Sequence, residues 1–348
     1  MTTLWYAIVA LMLATYVVLD GFDLGAGVLH LWLGRNDRER RTTLAAIGPF
    51  WDANEVWLLA AAGALFVAFP RVLSAGLSGF YLAIFLVLWC LILRAIAIEF
   101  RSHVADRLWR SFWDTTFALA SALLPVLFGA ALGNVIRGVP LTREGWFQLT
   151  LFTSFLPREP VGILDLYTVL AGVFALVALA GHGALFVAWR ADGVVGERAR
   201  RAGRTLYAAL AALWPLVTLA THAVNPTLLG ALPGRPTAWL SLLLAIAGMV
   251  AVFVRGAQRR PLAAFLGSCA FLAGMLAATA ACLYPVMLRA TGDPALSLTA
   301  PGGGTSAAGL RAALGWWTLG IPFVIAYFAL LFRIHRGKVV AAAEGEGY

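Results

Sequence analysis

Charge is scarce in this sequence. Of 348 residues only 12% are Asp, Glu, Lys or Arg, and 61% are hydrophobic. A soluble domain carries roughly a quarter charged residues, so one or two ordinary water-soluble domains are excluded and a polytopic membrane protein is indicated. Cysteine is scarcer still. Cys90, Cys269 and Cys282 fall in apolar segments and form no CxxC pair, which argues against a zinc site or a disulfide framework and leaves them as small buried side chains. There is no Walker loop, no metalloprotease motif and no convincing nucleophile–base pair. The apolar runs lack period-two alternation, which excludes barrel strands in favour of helices. Nor is there a basic domain. The net charge of +9 is dispersed over short loops, so a nucleic-acid partner is excluded and the positive residues read as a topology signal. The opening MTTLWYAIVALMLATYVVLD has no basic n-region and no small-residue cleavage site, and reads as a retained first span.

Nine apolar runs are long enough to cross about 30 Å of hydrocarbon at about 1.5 Å per residue. They lie at 4–33, 50–70, 74–100, 112–138, 163–190, 203–224, 237–255, 262–290 and 311–335, the second and third separated by a tight turn at Phe69-Pro70-Arg71. Alternate loops hold 19 and 7 of the 26 Lys and Arg residues. The positive-inside rule then sets the N-terminus outside and the C-terminus in the cytoplasm. The expectation is an all-α integral membrane protein with nine transmembrane helices. Residues 1–338 form a single polytopic membrane domain, and 339–348 a flexible cytoplasmic tail. The outer loops, 139–162 and 291–310, are too short to fold alone, and the second contains the flexible stretch PGGGTSAAG.

Three clusters break the apolar pattern. In VLDGFDLGAG, Asp20 and Asp23 share one face of the first helix, while Gly21 and Gly25 form a GxxxG pair on roughly the opposite face. The glycines suit close approach of another helix, and the acids then face a different interior space. An aspartate at mid-bilayer costs about 2.5–3.5 kcal/mol, two on one face repel, and protonation relieves both costs. Groups of this kind make proton relays or ion sites, the alternative being a structural hydrogen bond. In GPFWDANEVW, Asp52 and Glu55 lie near the cytoplasmic start of the second span among Trp51, Asn54 and Trp57. A helix start also favours acids for dipole reasons alone. In LILRAIAIEFRSH, Arg94 lies deep enough to need a partner, which Asp52, Asp23 or Glu99 could supply; Arg101 reads as an interfacial anchor. Asp114 and Asp165, at span ends, also read as interfacial. Depth orders the acids from Asp52 and Glu55 through Asp23 to Asp20, an order that could carry protons from the cytoplasm to the membrane centre.

A membrane haem would need histidine at suitable depth. His30, His103, His182, His222 and His335 form no pair on any span. His182, with the small neighbours of GHGAL, suits a hydrogen-bond or proton role better than haem ligation.

The pieces DGFDLGAG (20–27), LGRNDRERR (33–41), PFWDANEVWL (49–58), GALFVAFP (63–70), SGFYLAIFLVL (78–88) and GNVIRGVPL (133–141) resemble subunit II of cytochrome bd-type quinol oxidases. Beyond residue 141 the likeness rests on span count, orientation and the weaker LAGV (170–173) and HGA (182–184) pieces. The resemblance implies a haem-free subunit of two four-helix bundles plus a peripheral helix in a bacterial cytoplasmic membrane. Its partner, subunit I, would hold two b-type haems and one d-type haem and oxidise quinol while reducing O2 to water. It leaves room for small single-helix subunits, bound membrane lipid and a structural quinone, and gives this chain no metal or catalytic residue of its own. In the resemblance, Asp23, Trp51, Asp52 and Arg94 fall on family positions linked to a proton path from the cytoplasm or to haem-pocket integrity, and Asp20 matches the preceding motif acid. With the depth order of the acids, the expectation is a proton pathway of Asp20, Asp23, Asp52 and Glu55, with Trp51, Asn54, Arg94 and Glu99 in structural or tuning roles. Glu55 stands where some members carry Gln, and Phe50 where some carry His. Two other readings fit buried acids as well: a proton-coupled secondary transporter, which calls for paired broken helices, and a passive scaffold.

Overall fold

The structure is a computed structural model that describes residues 1–158 and 160–339. The tail read as flexible, 339–348, lies outside the described residues except for Val339. The chain runs through α1 (Thr2–Val28), α2 (His30–Leu33), α3 (Asp37–Ile47), α4 (Trp51–Ala68), α5 (Pro70–Gly79), α6 (Tyr81–Phe100) and α7 (Arg107–Arg137). It continues through α8 (Leu166–Arg190), α9 (Gly193–Val224), α10 (Pro226–Gly230), α11 (Pro236–Ala257) and α12 (Pro261–Leu283). A small antiparallel pair, β1 (Val286–Leu288) with β2 (Leu298–Thr299), then leads into α13 (Ala300–Gly303) and α14 (Ala307–Ile334).

Among the described residues, α1, α6, α7, α8, α9, α11, α12 and α14 are each long and apolar enough to cross a membrane. The expected second span differs. Helix α4 qualifies only together with α3, from which it is bent by 46°, so the count is eight spans, or nine with the bent pair. The expected break at Phe69-Pro70 is present, and Pro70 opens α5 at the first helical position, where its missing N–H costs nothing. The expected 74–100 run is divided between α5 and α6 at Phe80. The run expected to remain helical to 290 stops at Leu283. Pro285 cannot donate to the ladder and disfavours helical backbone at Tyr284, so the chain leaves the helix there and pairs as β1.

Loop contacts sort into two ends. At one, Arg198 pairs with Glu39 at 2.6 Å, Lys338 with Asp192 at 3.2 Å, and Arg190 donates to the carbonyl of His335 at 2.5 Å. At the other, Tyr6 donates to the carbonyl of Ala280 at 2.7 Å, Arg235 to that of Ala281 at 2.5 Å, and Arg289 to that of Arg137 at 2.7 Å. These pairings join helix ends and loops that the alternating span pattern assigns to the same side.

Close approach of α1 and α8 organises the interior. A methyl group added at Gly25 would lie 1.8 Å from the Leu179 carbonyl oxygen, and one at Gly183 would lie 2.2 Å from the Ala26 nitrogen. Gly21 faces the same helix, 3.0 Å from Leu179 Cδ2. The GxxxG face is therefore the packing face. Buried Phe22, Phe50, Phe186 and Phe265 fill the space beside it, with Phe22 and Phe186 stacked at 3.9 Å.

Gly25→Ala drives a methyl group into backbone that cannot step aside. It should lower the unfolding temperature of the purified protein or prevent its accumulation, since overpacking costs about 1–3 kcal/mol or more. Gly76→Ala, with open space at the added carbon, should leave both unchanged. Equal behaviour of the two variants would contradict the α1–α8 packing.

Candidate functional site

With its glycine face on α8, α1 turns Asp20 and Asp23 toward α4 and α6. Both are buried, at 0% and 1% exposure. The Arg94 guanidinium, on α6 and also 0% exposed, donates to Asp20 Oδ1 at 2.7 Å and to Glu55 Oε2 at 2.9 Å. On α4, Asn54 donates to Asp23 Oδ2 at 2.7 Å and to the Leu19 carbonyl at 3.2 Å. Three carboxyl groups thus surround one guanidinium and one amide. Protonation of a carboxyl relieves the surplus negative charge.

The partner of Arg94 differs from all three sequence candidates. Asp52 is exposed at the first turn of α4, Glu99 is exposed near the end of α6, and Asp23 bonds Asn54 instead. One helical turn separates Asp52 from Glu55, and the rotation of α4 presents the second acid to Arg94. Glu55 reaches both environments, because its side chain keeps 24% of its surface exposed while bonding the buried arginine.

Several buried atoms of this cluster have no hydrogen-bond partner among the described residues: Asp20 Oδ2, Asp23 Oδ1, Asn54 Oδ1, Arg94 Nε and Tyr16 Oη. Tyr16 precedes Asp20 by one turn on α1 and interacts electrostatically with it. Its hydroxyl was not singled out from the sequence, although the i, i+4 spacing to Asp20 was the available signal. Buried polar atoms left over in this number are the kind that ordered water satisfies.

Trp51 and Phe50 are buried at the start of α4. Phe50 stacks on Phe332 at 4.7 Å and lies under the Arg190 guanidinium at 5.6 Å, so the position is filled by aromatic packing. His182 is fully buried on α8 with both nitrogens engaged: Nε2 is 2.8 Å from the Val18 carbonyl and Nδ1 is 2.7 Å from Ser268 Oγ. It ties α1 to α12 through α8.

A second charge cluster was missed. Arg101, expected as an interfacial anchor, is 2% exposed and donates to Asp114 at 2.5 Å and to Asp37 at 2.8 Å. Asp114, also expected at the interface, is fully buried and further bonded to His30 Nε2 at 2.6 Å and Arg40 at 2.8 Å. Asp165 is likewise buried, pairing with Arg137 while capping α8 through the backbone of Thr168. In each case an acid expected at a span end is covered by arginines from other helices or helix ends, which span boundaries alone do not reveal.

Apolar helices in this number, around an interior network of acids and one arginine, define a multi-pass membrane protein that keeps charge in its core. The chain belongs to the cytochrome bd terminal oxidase subunit II family, whose description matches residues 1–335. It is 36% identical over 231 residues to cytochrome bd-I ubiquinol oxidase subunit 2 of Escherichia coli K12, covering 65% of this chain and 60% of that protein. That alignment therefore spans less than two thirds of the relative's length. It is 33% identical over 253 residues to cytochrome bd ubiquinol oxidase subunit 2 of Bacillus subtilis, covering 72% of each. It is 30% identical over 321 residues to a probable cytochrome oxidase subunit 2 of Haemophilus influenzae, covering 85% and 83%. The solved structure of bd oxidase from Geobacillus thermodenitrificans shares the fold, with a TM-score of 0.74 at 19% identity over 96% of this chain and 98% of that one.

Removing Asp114 leaves the buried Arg101 with only the partly exposed Asp37 and takes the counter-ion from the half-buried Arg40. Asp114→Ala should cost about 3–5 kcal/mol, read as a fall of roughly 10 °C in the unfolding temperature of the purified protein. Arg143→Ala in an exposed loop should change nothing. An unchanged Asp114→Ala unfolding curve would mean that the cluster is wet and weakly coupled.

Proposed function

We propose that this chain acts as the haem-free subunit II of a cytochrome bd-type terminal quinol oxidase in a bacterial cytoplasmic membrane. In this reading it supports a haem-bearing subunit I and delivers protons from the cytoplasm during quinol oxidation and reduction of O2 to water. Family membership supports the assignment, as do relatives named for ubiquinol oxidation. The two b-type haems and the d-type haem belong to the partner. The surroundings of His182 do not suit a haem, because both ring nitrogens are already engaged. The preferred orientation sets the N-terminus outside and the C-terminus in the cytoplasm, as the arginine bias favours. The helices then divide into two four-helix bundles with α14, in which Leu310 is buried, as the peripheral helix.

The observation that carries the proton role is the packing of Asp20, Asp23 and Glu55 around Arg94 and Asn54 with polar atoms to spare. Asp52 is exposed one turn before Glu55, so the two acids form a mouth at the cytoplasmic end of α4. Glu55 joins that mouth to the interior. Arg94 stays charged and cannot carry a proton; it pins Asp20 and Glu55 and offsets their charge. Asn54 holds Asp23 in the same space. The carriers are the carboxyl groups and the water that their unpartnered oxygens would hold. Protons taken up from inside while quinol releases protons outside separate charge without a pump, and each elementary charge crossing 100 mV stores about 2.3 kcal/mol.

Asp23→Asn keeps the shape and removes the proton site. In the assembled complex it should slow O2 consumption with quinol by roughly tenfold to a hundredfold, at or just below the usual range for lost acid–base groups, with subunit content unchanged. Asp52→Asn should slow it less, since Glu55 remains at the mouth. Full turnover in both variants would defeat the relay, and loss of assembly in both would favour a scaffold.

A further inference from the structure

A crevice of about 340 Å³ opens between α8, α9, α11 and α12, away from the acid–arginine network. Five arginines line it: Arg200, Arg201 and Arg204 from the early turns of α9, and Arg259 and Arg260 from the turn between α11 and α12. Its one acid, Glu197, is taken up by Arg200 and Arg201. Arg204, Arg259 and Arg260 have no acidic partner within ion-pair distance among the described residues, and all three are exposed. The floor is apolar, with Leu185 and Val252 among its lining.

Depth decides what such a site meets. Helix α9 has 32 residues, and at about 1.5 Å per residue it is roughly 48 Å long against about 30 Å of hydrocarbon. Counting back from Val224, the hydrocarbon ends near Arg204, so the arginines of α9 stand at headgroup level. Helix α11, with 22 residues, spans about 33 Å, and Arg259 and Arg260 follow just beyond its end. Arg259 also holds a left-handed backbone (φ 54°), which a glycine would adopt without strain. The turn therefore keeps a guanidinium there at a conformational cost.

We propose that this crevice binds the headgroup of an anionic phospholipid from the surrounding leaflet, its phosphate held by Arg204, Arg259 and Arg260 and an acyl chain lying along the apolar floor. Arginine offers the paired donors that phosphate oxygens accept, and a basic pocket between helices at the cytoplasmic face is the environment in which such headgroups are held. A free phosphate would use the arginines but leave the floor bare. The site is independent of the oxidase assignment, because it rests on charge, depth and shape alone.

Native mass spectrometry of the purified complex, titrated with phosphatidylglycerol or phosphatidylethanolamine of identical acyl chains, tests this. Wild-type complex should retain phosphatidylglycerol preferentially, and retention should fall by roughly fivefold for each arginine removed in Arg204→Gln, Arg259→Gln and Arg260→Gln. Arg143→Gln, in an exposed loop at the other end, should retain it fully. If the triple variant fails to assemble, Arg204→Gln alone still reports the fivefold loss. Equal retention of the two lipids, equal retention by wild type and variants, or displacement of the lipid by millimolar inorganic phosphate would overturn the proposal.

Discussion

One guanidinium governs the interior. Arg94 is removed from solvent, and the desolvation of its charge has to be offset inside the protein or the helix carrying it cannot be placed there. Asp20 and Glu55 supply that offset from two other helices. The pairing fixes the rotation of α1, α4 and α6 relative to one another. It also leaves the group over-supplied with carboxylate, because Asp23 lies a turn from Asp20 and is held by an amide rather than a cation. A single arginine among three acids therefore orients the helices and leaves carboxyl groups in excess of cations.

The arrangement depends on backbone contact elsewhere. Gly25 and Gly183 let α1 and α8 approach until main-chain atoms touch. That contact gives α1 one wall, and the acids must then face the opposite space. His182 reinforces it by bonding the carbonyl of Val18 on α1 and the hydroxyl of Ser268 on α12. The apolar stack of Phe22 on Phe186 closes the same wall. Packing on one face of α1 and ionic chemistry on the other are thus two results of one short segment, residues 20–27.

That segment was legible in the sequence because its information is local. A period of 3.6 residues separates glycines from aspartates without reference to any other helix. The span pattern was legible for the same reason, and it misled at three places: the α3–α4 bend, the break at Phe80 and Pro285, where chain direction rather than hydropathy decides. Partners far apart in sequence were not legible. Choosing Glu55 over Asp52 for Arg94 requires the rotation of α4 about its axis, which hydropathy does not encode. The burial of Arg101 and Asp114 depends on Asp37, Arg40 and His30 folding over a helix end. A charged residue at a predicted span boundary looks interfacial until the loop that covers it is known. Motif matching brought the acids of residues 20–55 to notice, and the geometry shows which of them bond Arg94 and which bonds Asn54.

The central claim is that the buried carboxyl groups around Arg94 exchange protons while the complex works. Infrared difference spectroscopy of the assembled complex, comparing reduced and oxidised states in light and heavy water, measures this directly. The account predicts a carboxylic-acid C=O band that shifts in heavy water and disappears in Asp23→Asn. A difference spectrum identical in wild type and Asp23→Asn, or a band that ignores the solvent isotope, would contradict it.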